Sequence, residues 1–327
     1  APAYYLRYNT QVWNLARCVR PLVQHAGFRQ RSGRSLISLA ISATSAAGSW
    51  PSEAGASWRS SRVGGVGGRL EQLTGPAAAV ALGDDATVLV PIGAIEQHGP
   101  HLPLSVDWII ADAVAQAVVD RAGEELPIWL LPTMPFSKSN EHAWSKGTIW
   151  LSQQTMMHVL DDIGRCVAES GAKRIVFLNG HGGNSTLLNV VCRELRLAYG
   201  LLTFLVHPFV PPAYSPPDPD AANSAELGMG IHGGLDETSV MLHLRPDDVD
   251  MSQAVRNVPE WMSEHDHVKF GGSVQFGWLS NDFGDDGHIG DPTGATAELG
   301  EKLFEDSVSF IIEQLRDIVG FDFRPNA

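Results

Sequence analysis

Four short strings hold most of the residues whose types and spacing could do chemistry. The first reads Gly93-Ala-Ile-Glu96-Gln97-His98-Gly99, with Asp107 soon after it. A carboxylate and an imidazole at i and i+2 of an extended loop can converge on neighbouring cations. An Asp has two carboxylate oxygens, so Asp107 could bridge two of them. A mixed Glu/His/Asp set suits zinc or manganese rather than calcium, which prefers oxygen ligands alone. The second string, Asn179-Gly180-His181-Gly182-Gly183-Asn184, follows an apolar run directly. Its glycines permit a sharp turn and close backbone approach to a ligand. A phosphate-cradling turn at a helix N-terminus is the competing use. The string lacks the glycine–lysine pattern of a P-loop and the G-x-G-x-x-G of a dinucleotide fold, so His181 reads as a metal ligand. The third string is His232-Gly-Gly-Leu-Asp236-Glu237-Thr238-Ser239. Taken singly, Asp236 and Glu237 read as acidic residues complementing a helix N-terminus, and His232 as a surface-loop histidine. The fourth holds Ser139-Asn-Glu141-His142 and then Thr148. His142 could line a pocket and Thr148 could donate a hydrogen bond there, although alone this is an ordinary polar loop.

Elements that would position these strings are legible around them. Thr87–Pro91, Arg174–Leu178 and Leu201–Val206 are short, apolar and rich in β-branched residues, as buried strands are, and Pro127–Met134 reads as another. Helical spacing covers Trp108–Arg121, Gln153–Ser170 and about Asn184–Ala198, with further helices near Glu237–Leu244 and Ala295–Ile318. Strands alternating with helices imply an α/β fold whose parallel sheet is covered on both faces. Ligands in such folds bind beyond the carboxyl ends of the strands, so the loops after Pro91, Met134 and Leu178 are the expected site. The long stretches 208–230 and 259–289, with Trp261, Trp278, Asp285, Asp286 and His288, are expected to shape access.

Charge and composition exclude several classes. The net charge of −14 argues against a nucleic-acid partner. No apolar run reaches the ~18 residues of a membrane span; Leu36–Ala47 is too short. Three cysteines, none in a C-x-x-C pair, argue against a disulfide framework and fit a reducing, cytoplasmic setting. Cys166 and Cys192 fall in helix-like stretches and are expected to pack in the core. Residues 1–65 stand apart, with eight Arg, no Lys, ten Ser and a single acidic residue, Glu53. That is the composition of an organelle transit peptide, and equally of a disordered extension or of upstream sequence never selected as protein; the latter pair is preferred. Gly64–Gly68 reads as a hinge, which divides the chain into a poorly ordered extension, 1–68, and a folded domain, 69–327.

Taken together, the strings resemble the creatininase (creatinine amidohydrolase) family. The resemblance rests on PIGAIEQHGPHLPLSVD (91–107), SKSNEHAWSKGTI (137–149), NGHGGN (179–184), HGGLDETS (232–239) and GDPTGAT (290–296), in matching order and spacing. It covers roughly residues 85–318. It implies one three-layer α/β/α domain with a mainly parallel sheet, two divalent metal ions, hydrolysis of a C–N bond in a small amide, and assembly into a homo-oligomer, a hexamer in the family. By motif position, Glu96 and His181 are implied to bind one metal, His98 the other, Asp107 both, and His232 to be the catalytic histidine. Zinc is the expected metal, with manganese or iron as alternatives.

One departure matters. Creatininase carries a tyrosine and then a metal-binding glutamate after the His of this motif, where the present chain has Gly182 and Gly183. Glu237 is the expected replacement, as metal ligand and catalytic carboxylate, and Gly182 and Gly183 are expected in the substrate pocket with His142 and Thr148. The departure weakens the case for creatinine as substrate. A metallopeptidase or deformylase of the same family, such as the mycofactocin-type peptidase or the formamidopyrimidine deformylases, is the alternative, and a non-catalytic metal-binding relative a third. As an imidazole titrating near neutrality, His232 is the expected proton shuttle.

Overall fold

In a computed structural model, residues 66–209 and 226–324 are described, all within the compact unit Trp58–Ala327. The basic N-terminal zone up to 65, with the apolar Leu36–Ala47 and Cys18, lies outside the described residues, as does most of the 208–230 loop.

Five strands form one parallel sheet in the order β1-β3-β2-β4-β5. These are β1 (Gly68–Arg69), β2 (Thr87–Ile92), β3 (Ile128–Leu130), β4 (Arg174–Asn179) and β5 (Leu202–Val206). β2 and β4 are buried along their whole length and pair from Thr87↔Arg174 to Ile92↔Asn179. Their side chains alternate between two cores, as the pleat requires. Leu89, Val176 and Leu178 face α2 (Val106–Ala122), α5 (Leu235–Leu244) and α6 (Ala297–Gly320). Val88, Val90, Ile92, Ile175 and Phe177 face α3 (Gln153–Glu169) and α4 (Ser185–Tyr199). The result is the three-layer α/β/α arrangement.

The strand order places the switch point between β2 and β4. From β2 the chain crosses outward to β3 through α2. It then returns over the other face through α3 to β4. Right-handed crossovers in opposite directions put those helices on opposite faces and leave a crevice at the strand ends between them. The loops after β2, β3 and β4 all open onto it.

Some elements differ from those the sequence pattern predicts. β3 is only Ile128–Leu130, because the next β2 donor toward it is Pro91, which has no N–H to give; pairing resumes as an isolated bridge between Ile92 and Met134. The glycine run is not a hinge at its described end. The Gly67 N–H donates to Gly123 O at 2.8 Å, and Gly68 opens β1, so the expected boundary at 68/69 falls inside a strand. A further short helix, α1 (Gly75–Ala81), has no buried residue and so left no apolar period to read. Cys166 is exposed rather than in the core; Cys192 is half-buried against the α3–α4 core. No helix among the described residues is long and apolar enough to cross a membrane.

Candidate metal centre

Two glycines let the strand-end loops and the start of α2 meet. A Cβ at Gly93 would stand 2.4 Å from Trp108 Cα, and one at Gly180 would stand 2.7 Å from Asp107 O. Only glycine allows β2 and β4 to end this close to the first turn of α2. That packing sets Asp107 between the two loops.

The side chains converge accordingly. Asp107 Oδ1 lies 3.1 Å from His98 Nε2, and Oδ2 lies 3.1 Å from His181 Nδ1. His181 Nδ1 is also 3.2 Å from Glu96 Oε1. The donor atoms of Glu96, Asp107 and His181 lie within 4.8 Å of one another, as do those of His98, Asp107 and Glu237. These two three-donor sets share Asp107. His232 joins Glu96 and His98 in a third possible set. Glu96, His98, Asp107, His181 and His232 are all buried. Glu237, half-buried in the first turn of α5, accepts the Gly233 N–H at 2.6 Å.

Second partners fix which nitrogen of each ring faces inward. His98 Nδ1–H donates to the Glu96 carbonyl at 3.1 Å, so Nε2, which faces Asp107, is the atom that a cation would take once the ring is neutral. His232 Nε2–H donates to the Gln97 carbonyl at 2.7 Å, leaving Nδ1 bare at 3.8 Å from Glu96 Oε1. The Gln97 side chain is oriented by the Gly99 N–H on its oxygen and by Gly287 O, which its amide reaches at 2.9 Å. The same amide donates to His142 Nδ1 at 2.9 Å, so His142 Nε2–H points at Glu96 Oε1, 3.3 Å away. Ser139 Oγ donates to Glu96 Oε2.

Electrostatics show a cluster built for cations. Burial opposes charge on His98, but Asp107 outweighs it and pushes the ring up to about 9. Burial is likewise overcome at His181, which Glu96, Asp107 and Glu141 raise well above the usual range. Burial is also outweighed at Asp107, where His98 and His181 hold the carboxyl well below its usual range. Burial raises Glu96. Burial, with Asp107 and Glu96 nearby, pushes Glu237 up to about 7 against the pull of His98. Without a cation, then, imidazoles must take up protons to balance buried carboxylates. Asp107 Oδ2 is buried, and its 3.1 Å approach to His181 Nδ1 falls short of hydrogen-bond geometry. Divalent cations among neutral rings would remove both deficits, so the donor set fits them.

His232 departs from the expectation of titrating near neutrality. Burial, with His98 and His142 beside it (ring centroids 4.2 and 4.3 Å away), drives it well below the usual range. It is a neutral ring with an open Nδ1.

The expected pocket residues separate. His142 is buried against Glu96 rather than lining an open wall. Thr148 Oγ1 is buried without a hydrogen-bond partner. Gly182 is exposed with open space around its Cα, whereas Gly183 packs on the Glu141 carboxylate. Among the access residues, Trp261 and Trp278 join Phe270 and Phe283 in an aromatic cluster, and Asp285 and Asp286 are exposed. His288 is instead buried, its Nε2–H donating to Val255 O at 2.7 Å. Gln97, Ser139, Glu141 and Ser280 were given no role from sequence. Ser280 Oγ accepts the Trp144 indole N–H at 2.7 Å and lies 3.3 Å from the Gln97 amide, which ties that ring to the Gln97 side chain.

Residues 71–315 match the family model described as creatininase, creatinine amidohydrolase. The mycofactocin precursor peptide peptidase of Mycolicibacterium smegmatis is 35% identical over 232 residues, covering 70% of this chain and 84% of that protein. Creatinine amidohydrolase of Pseudomonas putida is 35% identical over 205 residues, covering 58% of this chain and 75% of that one. The crystal structure of a creatinine amidohydrolase (creatininase) superposes with a TM-score of 0.60 at 26% identity, covering 78% of this chain and 98% of that one. Two further similar creatininase structures are named for Mn and for a Zn–Zn type.

Proposed function

We propose that this chain, which belongs to the creatininase family, is a hydrolase that cleaves the C–N bond of a small cyclic or linear amide at a centre of two divalent metal ions. The observation that carries this reading is the pair of buried three-donor sets sharing Asp107. Glu96, Asp107 and His181 would hold one ion; His98, Asp107 and Glu237 would hold the other. Zinc or manganese suits these donors, with iron an alternative. Bound there, divalent ions lower the pKa of water towards ~7 and polarise a carbonyl oxygen.

The chain's own residues do the rest. Gln97 O holds His232 by Nε2–H, so Nδ1 is the atom free to take a proton and pass it to the leaving nitrogen. Burial, with the His98 and His142 rings close beside it, keeps the His232 ring neutral until that step. Ser139 and His142 hold both oxygens of Glu96 and prevent its rotation. Burial of the set excludes bulk water, which strengthens each of these interactions.

A peptide bond is the alternative C–N bond. It is favoured by the greater share of the chain covered by the peptidase-named relative and by glycine at 183. Hydrolysis of creatinine, simple linear amides and short peptides by metal-loaded protein, with and without chelator, tests the reading. Turnover of one class, abolished by chelator and restored by metal, is expected. Chelator-resistant turnover, or none on any amide, would refute it. Assembly into a homo-oligomer, a hexamer by family resemblance, and a cytoplasmic location belong to the same proposal; light scattering and fractionation check them.

A further inference from the structure

We infer that Glu141 is the positioning residue of the ligand His181, and that Glu141 and Gly183 form one compensating pair in which the carboxylate occupies the space a side chain at 183 would need. The inference rests on the metal-centre reading above.

The His181 ring has two faces to satisfy. Nδ1 points at Glu96 and Asp107, at 3.2 and 3.1 Å. On the opposite side, Nε2 lies 3.2 Å from Glu141 Oε1. An ionised carboxylate only accepts hydrogen bonds. Nε2 therefore carries a hydrogen, and when an ion displaces the Nδ1 proton it is Nδ1 that is left with the lone pair, so one contact fixes the tautomer and the ring plane a ligand needs.

Glu141 is itself well held. It lies in the one-turn helix Asn140–His142, and Lys138 Nζ meets Oε2 at 3.0 Å. The Lys138 N–H donates to Asn184 Oδ1 at 3.1 Å, and Asn184 Nδ2 donates to Asn179 Oδ1 at 3.1 Å, which ties this loop to the end of β4. A Cβ on Gly183 would stand 1.6 Å from Glu141 Oε1 and 2.5 Å from His181 Nε2. Even the smallest side chain at 183 thus evicts the carboxylate. Glycine here is a condition for Glu141 to reach His181, beyond any role in the turn.

The test measures the zinc dissociation constant by chelator competition at fixed pH, with circular dichroism of the metal-free proteins as the folding control. Loss of a ligand's outer partner lowers metal affinity by about 10–100-fold. Glu141→Ala should show that loss. Glu141→Gln should recover part of it, because the amide oxygen still accepts from Nε2–H. Lys138→Met should lose less than Glu141→Ala. Gly183→Ala should lose at least as much as Glu141→Ala, because its Cβ also crowds His181 Nε2, and the loss in the double variant should fall short of the product of the two single losses. Native affinity in Glu141→Ala, or losses that multiply in the double variant, would overturn the inference. Should Glu141→Ala not fold, Gly183→Ala decides, and native affinity there overturns it. A wild-type protein that binds no zinc or manganese would instead count against the metal centre itself.

Discussion

Replacing Gly93 by alanine should damage the centre without touching a ligand. The new Cβ would stand 2.4 Å from Trp108 Cα, 2.6 Å from Trp108 N and 2.9 Å from Asp107 C, where ordinary contact begins near 3.4 Å. All three are backbone atoms of the first turn of α2 and cannot rotate away. β2 is pinned on both sides by β3 and β4, so the helix start must yield by about 1 Å. Overpacking of this kind costs about 1–3 kcal/mol. At roughly 2–4 °C per kcal/mol for a domain of this size, that is a fall in Tm of about 2–12 °C. Asp107 rides on the displaced turn, and a misplacement of about 1 Å at a reacting centre costs on the order of 100-fold in rate. Metal content, Tm and turnover on the best amide would be measured beside Gly75→Ala, whose Cβ meets nothing within 4 Å. Native metal content and turnover in Gly93→Ala would refute the idea that this glycine sets Asp107.

Three other outcomes follow from the same geometry. His232→Ala should keep two metals per chain and lose about 10²–10⁴ in turnover, the usual worth of a general acid–base group; loss of a metal would instead mark His232 as the ligand that the third donor set allows. Metal binding should release protons, because a ligating ring must be neutral and His98 is held up to about 9 in the metal-free protein. Affinity therefore falls as the pH drops below that value, and calorimetry in buffers of different ionisation enthalpy would read the release as a buffer-dependent heat. Removing the metal by chelator should lower Tm, since ligand at 1,000 times its Kd adds about 4 kcal/mol of stability; an unchanged melting curve would contradict binding at a folded-state site.

The sequence makes the parts of this site that lie within one turn or one strand end legible. Glu96, His98 and His181 sit in short loops directly after β2 and β4, where strand, glycine and donor follow one another in the chain. Glu237 is distant in sequence and was legible only through the glycine at 183, where the family motif implied a carboxylate. The residues that orient these donors were not legible. Gln97 works through contacts with His142, Ser280 and Gly287, which the loops bring together only on folding. Glu141 falls within the string SKSNEHAWSKGTI, yet its contact with His181 depends on the space left by Gly183, which only the folded chain reveals. His288 looked like an access residue because the polar stretch around it reads as surface, whereas its ring is buried against Val255. β1 and α1 escaped notice because two residues, or a helix with no buried face, carry no periodicity.

The two donor sets differ in what holds them, so the metals should load unequally. Glu96 and His181 leave the ends of the two central strands, and Asp107 is wedged between their loops. None of these can move without disturbing the sheet. Glu237 instead rides on α5, whose close support comes from α6: a Cβ on Gly300 would stand 1.8 Å from Ser239 O. Its carboxylate is also pushed up to about 7, so near neutrality a fraction carries a proton that the metal must displace. The Glu96–Asp107–His181 set should therefore fill first, and the His98–Asp107–Glu237 set later and more weakly. Titration of metal-free protein against a chromogenic chelator should resolve two steps, and Glu237→Ala should erase only the weaker one. Equal affinities, or full retention of two metals by Glu237→Ala, would mean that the carboxylate of the second metal lies elsewhere in the chain.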